Sequence, residues 1–366
     1  MSNKKYSLGL MSGTSADGVT VTLVQNSPFK TLRSKTYKYS ANLQKKLINA
    51  RFLAAAELSE LNFEIGKLYA DCVKKFLKEF RINKRDIFAV GSHGQTITHN
   101  PYAETPNTLQ IGEPAFMAAM GLKVVYNFRA KDMALGGQGA PLMPFFDAWI
   151  FGHGKPKIML NIGGVSNISV VGHGIKAFGF DTGPGNALMD TVVQNFTKGK
   201  KSFDDSGSMA ARGIYDEKII GAMMKNKYFK MPPPKSLDRN SFEEKFIKQF
   251  FPQITVKNIN DVLATLTMFT ARTITLGVQK FVLPKYKVTE IVVNGGGAFN
   301  KTLLKNIADS LPGVKISLIS DYGIGVMEKE SAAFALFAKR ALEGKSNHNP
   351  RATGASGKTI LGSVCL

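Results

Sequence analysis

The chain has 366 residues, 44% of them apolar, and a formal net charge of +21 from 48 Lys and Arg against 27 Asp and Glu. That length exceeds what one hydrophobic core usually serves and the apolar share is ordinary for a globular protein, so disorder is excluded and two domains are expected. No run approaches roughly eighteen uninterrupted apolar residues, which excludes a transmembrane helix; the basic residues are scattered (Lys45 and Lys46, Lys74 and Lys75, Lys198, Lys200 and Lys201) with no arginine cluster or aromatic stacking pattern, which sets nucleic acid and membrane aside as partners.

Two cysteines, Cys72 and Cys365, form no C-x-x-C pair, and no secretory leader follows Met1, so a reducing cytoplasm is expected. Along the chain, β-type runs and helices alternate. Tyr6 to Met11 and Thr20 to Gln25 flank a glycine turn as a hairpin would. From Glu57 to Phe80, the residues Leu58, Leu61, Ile65, Leu68, Cys72, Phe76 and Phe80 recur at helical spacing. Ile87 to Gly91 is a short buried strand leading to Ser92-His93-Gly94-Gln95-Thr96, and Val124 to Phe128 is a β-type run before Arg129. Lys157 to Asn161 and Ile168 to Val171 flank a second glycine turn. Ala177 to Phe180 forms a strand ending at Asp181, with Asn186 placed to cap a helix from about Ala187 to Phe196. Pro232-Pro233-Pro234 reads as a stiff loop, Asn260 to Phe281 as a capped helix, Ile291 to Asn294 as a strand, and Lys301 to Ser310 and Glu330 to Leu342 as helices. The repeated strand–turn–strand form predicts two related α/β halves, 1–155 and 156–366, joined near Phe151 to Lys155, with the last helix crossing back to the first half.

Three glycine-rich turns carry the functional signal: Gly9 to Gly18, Asn161 to Asn167, and Val293 to Asn300. Turns of Gly, Ser, Thr and Asn aim backbone N–H groups at phosphate oxygens. Three of them predict a nucleotide gripped between two lobes. A fourth stretch, Ala352 to Thr359, satisfies a relaxed P-loop pattern, but a working P-loop opens a helix and only a β-type end from Ile360 to Leu366 follows. The five histidines, His93, His99, His153, His173 and His348, show no zinc spacing, and no G-x-S-x-G elbow supports a serine hydrolase.

Gly13-Thr14-Ser15-Ala16-Asp17-Gly18-Val19, Ser92 to Thr96, Asn161-Ile162-Gly163-Gly164, Asp181 to Asn186, Pro232 to Ser236, Asn294 to Gly297 and Thr353 to Gly357 together resemble, in order and over nearly the whole chain, the signature segments of the anhydro-N-acetylmuramic acid kinase family. The resemblance implies a two-lobed, actin-like (ribonuclease H-like) α/β fold with an ATP cleft between duplicated domains. It also implies a cytoplasmic enzyme of cell-wall recycling that uses ATP, Mg²⁺ and water to open the 1,6-anhydro ring and phosphorylate O6, and a homodimer. Asp181 is the candidate base, since water attacking the anomeric carbon must lose a proton. Gly13, Thr14, Ser15, Ala16, Asp17, Gly18, Val19 and Thr20, with Asn161, Gly163 and Gly164, would hold phosphates, and Gly295, Gly296 and Gly297 would line the adenosine. Asp17 either orients Mg²⁺ or its waters, or is a plain turn former; no protein-held metal is otherwise expected. Thr20 stands where the family has Asp, and Leu237-Asp238 where it has Thr-Gly, so a metal role at position 20 is in doubt. For the sugar the resemblance points to Ser12, His93, Arg129 and Glu330, though a surface salt bridge for Arg129, a structural histidine for His93 and a helix-dipole role for Glu330 compete. A hexose kinase of the same scheme and a non-catalytic ATP-dependent clamp are the rival functions.

Overall fold

The computed structural model describes residues 5–366 apart from 14, 176, 177, 234, 236, 238–241 and 243. Thr14, Ala177, Pro234, Ser236 and Asp238, named above, therefore lie outside the described residues. The strands in chain order are β1 (Tyr6–Met11), β2 (Gly18–Asn26), β3 (Phe29–Lys38), β4 (Ile87–Ser92), β5 (Gln95–Asn100), β6 (Asn107–Ile111), β7 (Val124–Tyr126), β8 (Lys157–Ile162), β9 (Val165–Val171), β10 (Phe178–Pro184), β11 (Glu290–Asn294), β12 (Lys315–Leu318) and β13 (Ser363–Cys365). The chain divides into two compact units, 1–146 with 322–366, and 147–321. The first division falls inside the helix Met143–Phe151 rather than in a linker after it, and the chain after Asp321 belongs to the first unit.

The first unit holds a sheet in the order β3-β2-β1-β4-β7-β13, with β2 antiparallel to both neighbours and β1, β4 and β7 parallel. The second holds β10-β9-β8-β11-β12, with β9 antiparallel to both neighbours and β8, β11 and β12 parallel. With the separate β5-β6 ribbon left aside, the strands of each large sheet follow one order, 3-2-1-4-5, with the second strand reversed, and the first sheet adds β13 antiparallel to β7 as a sixth strand. Each unit thus carries the same ribonuclease H-like sheet plan, present twice in the chain.

In the first unit, β1 is covered on both faces. Leu8 and Leu10 share a core with Leu61, Ile65, Tyr69, Val73 and Phe76 of the amphipathic helix Ala55–Glu79, each such side chain contributing about 1.5–3 kcal/mol on burial. Gly9 alternates to the other face, where a Cβ would collide with the Ser331 carbonyl, and on β4 a Cβ at Gly91 would collide with that of Phe334. The alanine-rich helix Lys329–Leu342 thus lies directly on the sheet, a closeness only glycine and alanine permit, and this carries Glu330 to its place. In the second unit the largely buried helix Ile259–Phe281 braces β10: Gly277 packs against Phe180 and Thr182, and Thr270 Oγ1 donates to the Gly185 carbonyl at 3.1 Å.

Three local expectations need correction. β7 stops at Tyr126, because Asn127 takes a left-handed φ of 52° and turns the chain, so Arg129 heads the short helix Ala130–Ala134 instead of ending a strand. β10 runs through Asp181 to Pro184, with a bulge between Asp181 and Gly183. Asn186 precedes the helix Ala187–Phe196 without a side-chain capping bond; its Nδ2 donates to the Ile162 carbonyl at 3.4 Å instead. The terminal glycine-rich stretch also differs from a P-loop in kind: the helix Pro350–Thr353 ends before left-handed Gly354, so these glycines close a helix instead of opening one.

Candidate active site

In the first unit β1 ends at Met11 and β2 begins at Gly18, so the hairpin turn comprises residues 12–17. The Ala16 N–H donates to the Gly13 carbonyl at 3.1 Å, and Ser15 and Asp17 are exposed. Gly18, Val19 and Thr20 lie in the strand. Val19 is in the core, and the Thr20 hydroxyl is shared with Thr36 on β3 at 2.8 Å.

The neck of this turn is held by a group that the sequence did not single out. Gln95 Oε1 lies 2.6 Å from the Ser12 hydroxyl and Gln95 Nε2 donates to the Gly13 carbonyl at 3.1 Å. The Ser12 hydroxyl also lies 2.9 Å from the Gly18 carbonyl and accepts from Tyr39 at 3.0 Å, so its one proton is shared between two acceptors. Ser12 is buried, and burial pushes the Tyr39 phenol up to about 12. Gln95 stands two residues after His93, so one short segment touches both the turn and the candidate sugar residues; only the folded chain shows which side chain does which.

His93 and Arg129 meet directly. Arg129 donates to His93 Nε2 from Nε at 3.2 Å and from Nη2 at 2.9 Å. Because guanidinium only donates, His93 Nε2 is an acceptor and the ring proton sits on Nδ1, which donates to the Gly94 carbonyl at 2.9 Å. Burial, then the Arg129 charge, lower the imidazole to about 3, so the ring is neutral. Arg129 Nη1 donates to the Gly139 carbonyl at 2.8 Å. Burial lowers Arg129 while the Glu330 and Asp132 carboxylates act the other way, so its charge is supported from two sides. Glu330 itself is exposed at the start of its helix.

In the second unit the strand register lines up a polar row. Asn294 opposes Asn161, Asn161 opposes Asn167, and Asn167 opposes Asp181, across β11, β8, β9 and β10. Directly opposed residues project from the same face, so these four form one band. It lies where the second and third glycine turns follow the carboxyl ends of the parallel strands β8 and β11, the usual ligand edge of such a sheet. Asn294 Nδ2 donates to Asn161 Oδ1 at 2.7 Å. Asn167 and Asn294 lie in the second and third glycine-rich stretches of the sequence, and only strand register links them to Asp181, a relation not visible before strand pairing is known.

The half-buried Asp181 sits on an edge strand whose free side is closed by the loop before and after the prolines. Its N–H donates to the Lys235 carbonyl at 3.1 Å, its carbonyl accepts from the Tyr228 hydroxyl at 2.8 Å, and its Oδ2 accepts from the Leu237 N–H at 2.8 Å. Burial raises its carboxyl above the ordinary value, with the Leu237 bond and the Lys235 charge partly offsetting this. Lys235 stacks over the rings of Tyr228 at 4.6 Å and Phe281 at 5.4 Å, and burial lowers its ammonium to about 8.

The candidate glycines divide by what surrounds them. A Cβ at Gly18 would stand 2.5 Å from the Tyr37 carbonyl, one at Gly295 2.7 Å from the Ile162 carbonyl, and one at Gly297 would collide with Ile162, so internal packing already requires these three. At Gly13, Gly163, Gly164 and Gly296 a Cβ would meet nothing nearer than 3.7, 3.6, 3.8 and 3.5 Å. At those four a Cβ would make only ordinary van der Waals contact, so packing among the described residues does not demand glycine there.

A model of the family described as anhydro-N-acetylmuramic acid kinase matches residues 5–366. Proteins of that name resemble the chain throughout: one from Caldanaerobacter subterraneus subsp. tengcongensis is 37% identical over 98% of this chain and 96% of its own length. One from Shewanella sediminis is 38% identical over 99% of each, and one from Bacillus cereus (strain B4264) is 35% identical over 98% of this chain and 96% of its own length. With a family model matched over nearly the whole chain and relatives of that name more than a third identical along it, the chain is a member of the anhydro-N-acetylmuramic acid kinase family.

Proposed function

We propose that Asp181 is the general base with which this kinase, using ATP, opens the 1,6-anhydro ring of anhydro-N-acetylmuramic acid and phosphorylates O6 to give N-acetylmuramic acid 6-phosphate and ADP. Water attacks C1 and gives its proton to the Asp181 carboxylate; the C1–O6 bond breaks, and O6 takes the γ-phosphoryl group as ADP leaves. The observation that carries this role is the placing of one half-buried carboxylate, raised by burial and held by the Leu237 N–H, at the end of the asparagine row. A base with a raised pKa accepts a proton more readily, which suits a group working near neutrality.

The sugar is recognised by Arg129 and Glu330, and His93, whose two ring nitrogens are taken by Arg129 and the Gly94 carbonyl, holds Arg129 in place. With Nη1 and Nη2 each spending one N–H inside the protein, a second N–H remains on each terminal nitrogen to meet a carboxylate such as the lactyl group. The turn at 12–17 and the glycines Gly163, Gly164 and Gly296, which packing does not demand, are suited to phosphate and nucleotide, because backbone can approach a ligand where no side chain intervenes. Among the described residues no cluster of three or more His, Cys, Asp or Glu is arranged to hold a cation. Mg²⁺ would therefore arrive on the phosphates, with exposed Asp17 the nearest carboxylate of the turn, and would neutralise phosphate charge. We place the enzyme in the cytoplasm, which its two free cysteines, Cys72 and Cys365, fit.

Incubation with Mg-ATP and anhydro-N-acetylmuramic acid, with glucose as control, tests this by product mass. Gain of water plus one phosphoryl group on the anhydro sugar alone agrees with it. Phosphoryl gain without water, or a glucose product, would return the rival hexose kinase.

A further inference from the structure

The terminal stretch that mimics a P-loop has a different use in this fold. Thr353 Oγ1 donates to Asp132 Oδ1 at 2.5 Å, and His348 Nε2 bonds the same oxygen. The Thr353 carbonyl accepts from the Gln138 N–H at 2.8 Å, and the Ser356 N–H donates to the Leu135 carbonyl at 2.9 Å. Asp132, His348 and Thr353 are all buried, so this carboxylate depends on protein donors. Its second oxygen, Oδ2, accepts from the Gly139 N–H at 2.6 Å. Gly139 in turn presents its carbonyl to Arg129 Nη1 at 2.8 Å, and Arg129 holds His93. A continuous line of hydrogen bonds therefore runs from the C-terminal segment to the guanidinium.

We infer that His348 and Thr353 are positioning residues of the sugar site: they fix the Asp132 carboxylate, which sets Gly139, which aims Arg129. The inference rests on the reading of Arg129 as a sugar-binding group, and the two are tested apart. A guanidinium displaced by a fraction of an ångström loses its grip on a carboxylate, whereas no described residue of the turn at 12–17 bonds to a member of this line.

The test compares Thr353→Val, which keeps the side-chain shape and removes the hydroxyl, with Thr353→Ser, which restores it, and with Arg129→Lys, in steady-state kinetics with both substrates varied. Thr353→Val should raise the KM for the anhydro sugar about tenfold with the KM for ATP within about twofold. Thr353→Ser should recover most of that loss, and in the Arg129→Lys background Thr353→Val should add less than about twofold. A folded Thr353→Val with an unchanged sugar KM, or one that moves both KM values equally, overturns the inference. An Arg129→Lys enzyme with normal sugar KM overturns the underlying reading of Arg129. If thermal melting shows Thr353→Val unfolded, His348→Gln, which keeps an amide donor toward Asp132 but displaces it, is read in the same way with the same outcomes.

Discussion

Replacing Asp181 by Asn separates chemistry from folding in this site. The Asn carbonyl oxygen can accept the Leu237 N–H that Oδ2 accepts at 2.8 Å, so the loop stays in place while the base is lost. Loss of a positioned base costs about 10²–10⁴-fold in rate, which is about 2.7–5.5 kcal/mol of barrier. Stability should move the other way. Burial raises the folded-state pKa of Asp181 above its unfolded value; a carboxyl raised in this way contributes stability that is full below the unfolded pKa and is lost as pH rises through the folded one. At neutral pH the charged Asp is therefore a burden on the fold that Asn relieves, and the gain disappears in acid below the ordinary carboxylate range. Asp181→Ala lacks the acceptor and leaves the Leu237 N–H unpaired, at about 1–2 kcal/mol, or roughly 2–4 °C in Tm per kcal/mol. The measurements are ADP release with saturating sugar, ATP affinity by calorimetry, and melting at neutral and acid pH. An Asn variant within about tenfold of the wild-type rate would refute the base assignment, and equal melting of the Asn and Ala variants would refute the role given to the Leu237 bond.

Other outcomes follow from the same geometry. Lys235→Met removes a cation that holds the Asp181 carboxyl down, so the acid limb of kcat/KM should move to higher pH; a limb that stays or moves to lower pH would contradict the coupling. Gly13→Ala should raise the KM for ATP about tenfold, about 1.4 kcal/mol, without loss of Tm, whereas Gly18→Ala, forced against the Tyr37 carbonyl, should destabilise the first unit by about 1–3 kcal/mol; equal melting of the two would undo the distinction between glycines that packing demands and those it does not. Nitrogen NMR should find His93 neutral with its proton on Nδ1 from pH 5 to pH 9, following from a value near 3 and the Arg129 bond; titration inside that range would mean that Arg129 does not face it.

Much of the second-order structure was legible because its causes are local. Helical spacing from Leu58 to Phe80 gives the helix Ala55–Glu79, and Asn300, whose side chain accepts from the Leu303 N–H at 2.9 Å, starts the helix Lys301–Ser310 where its type suggests. Where a single backbone torsion decides, pattern reading fails: left-handed Asn127 ends β7 early and puts Arg129 on a helix start, and β10 continues through Asp181 because its edge is covered by the loop of Tyr228 and Lys235, a long-range bond no window of sequence contains.

By itself the sequence determined the duplicated strand–turn–strand plan, the glycine turns, the identity of the candidate base and the family, since these depend on residue type and order along the chain. Tertiary structure alone decided that Asn161, Asn167 and Asn294 stand in register with Asp181, that Gly18, Gly295 and Gly297 are demanded by packing while Gly13 and Gly164 are not, and that Thr353 reaches Asp132. Register, approach distance and the hydrogen bonding of a buried carboxylate are relations between residues far apart in the chain, fixed only when sheets pair and helices pack against them.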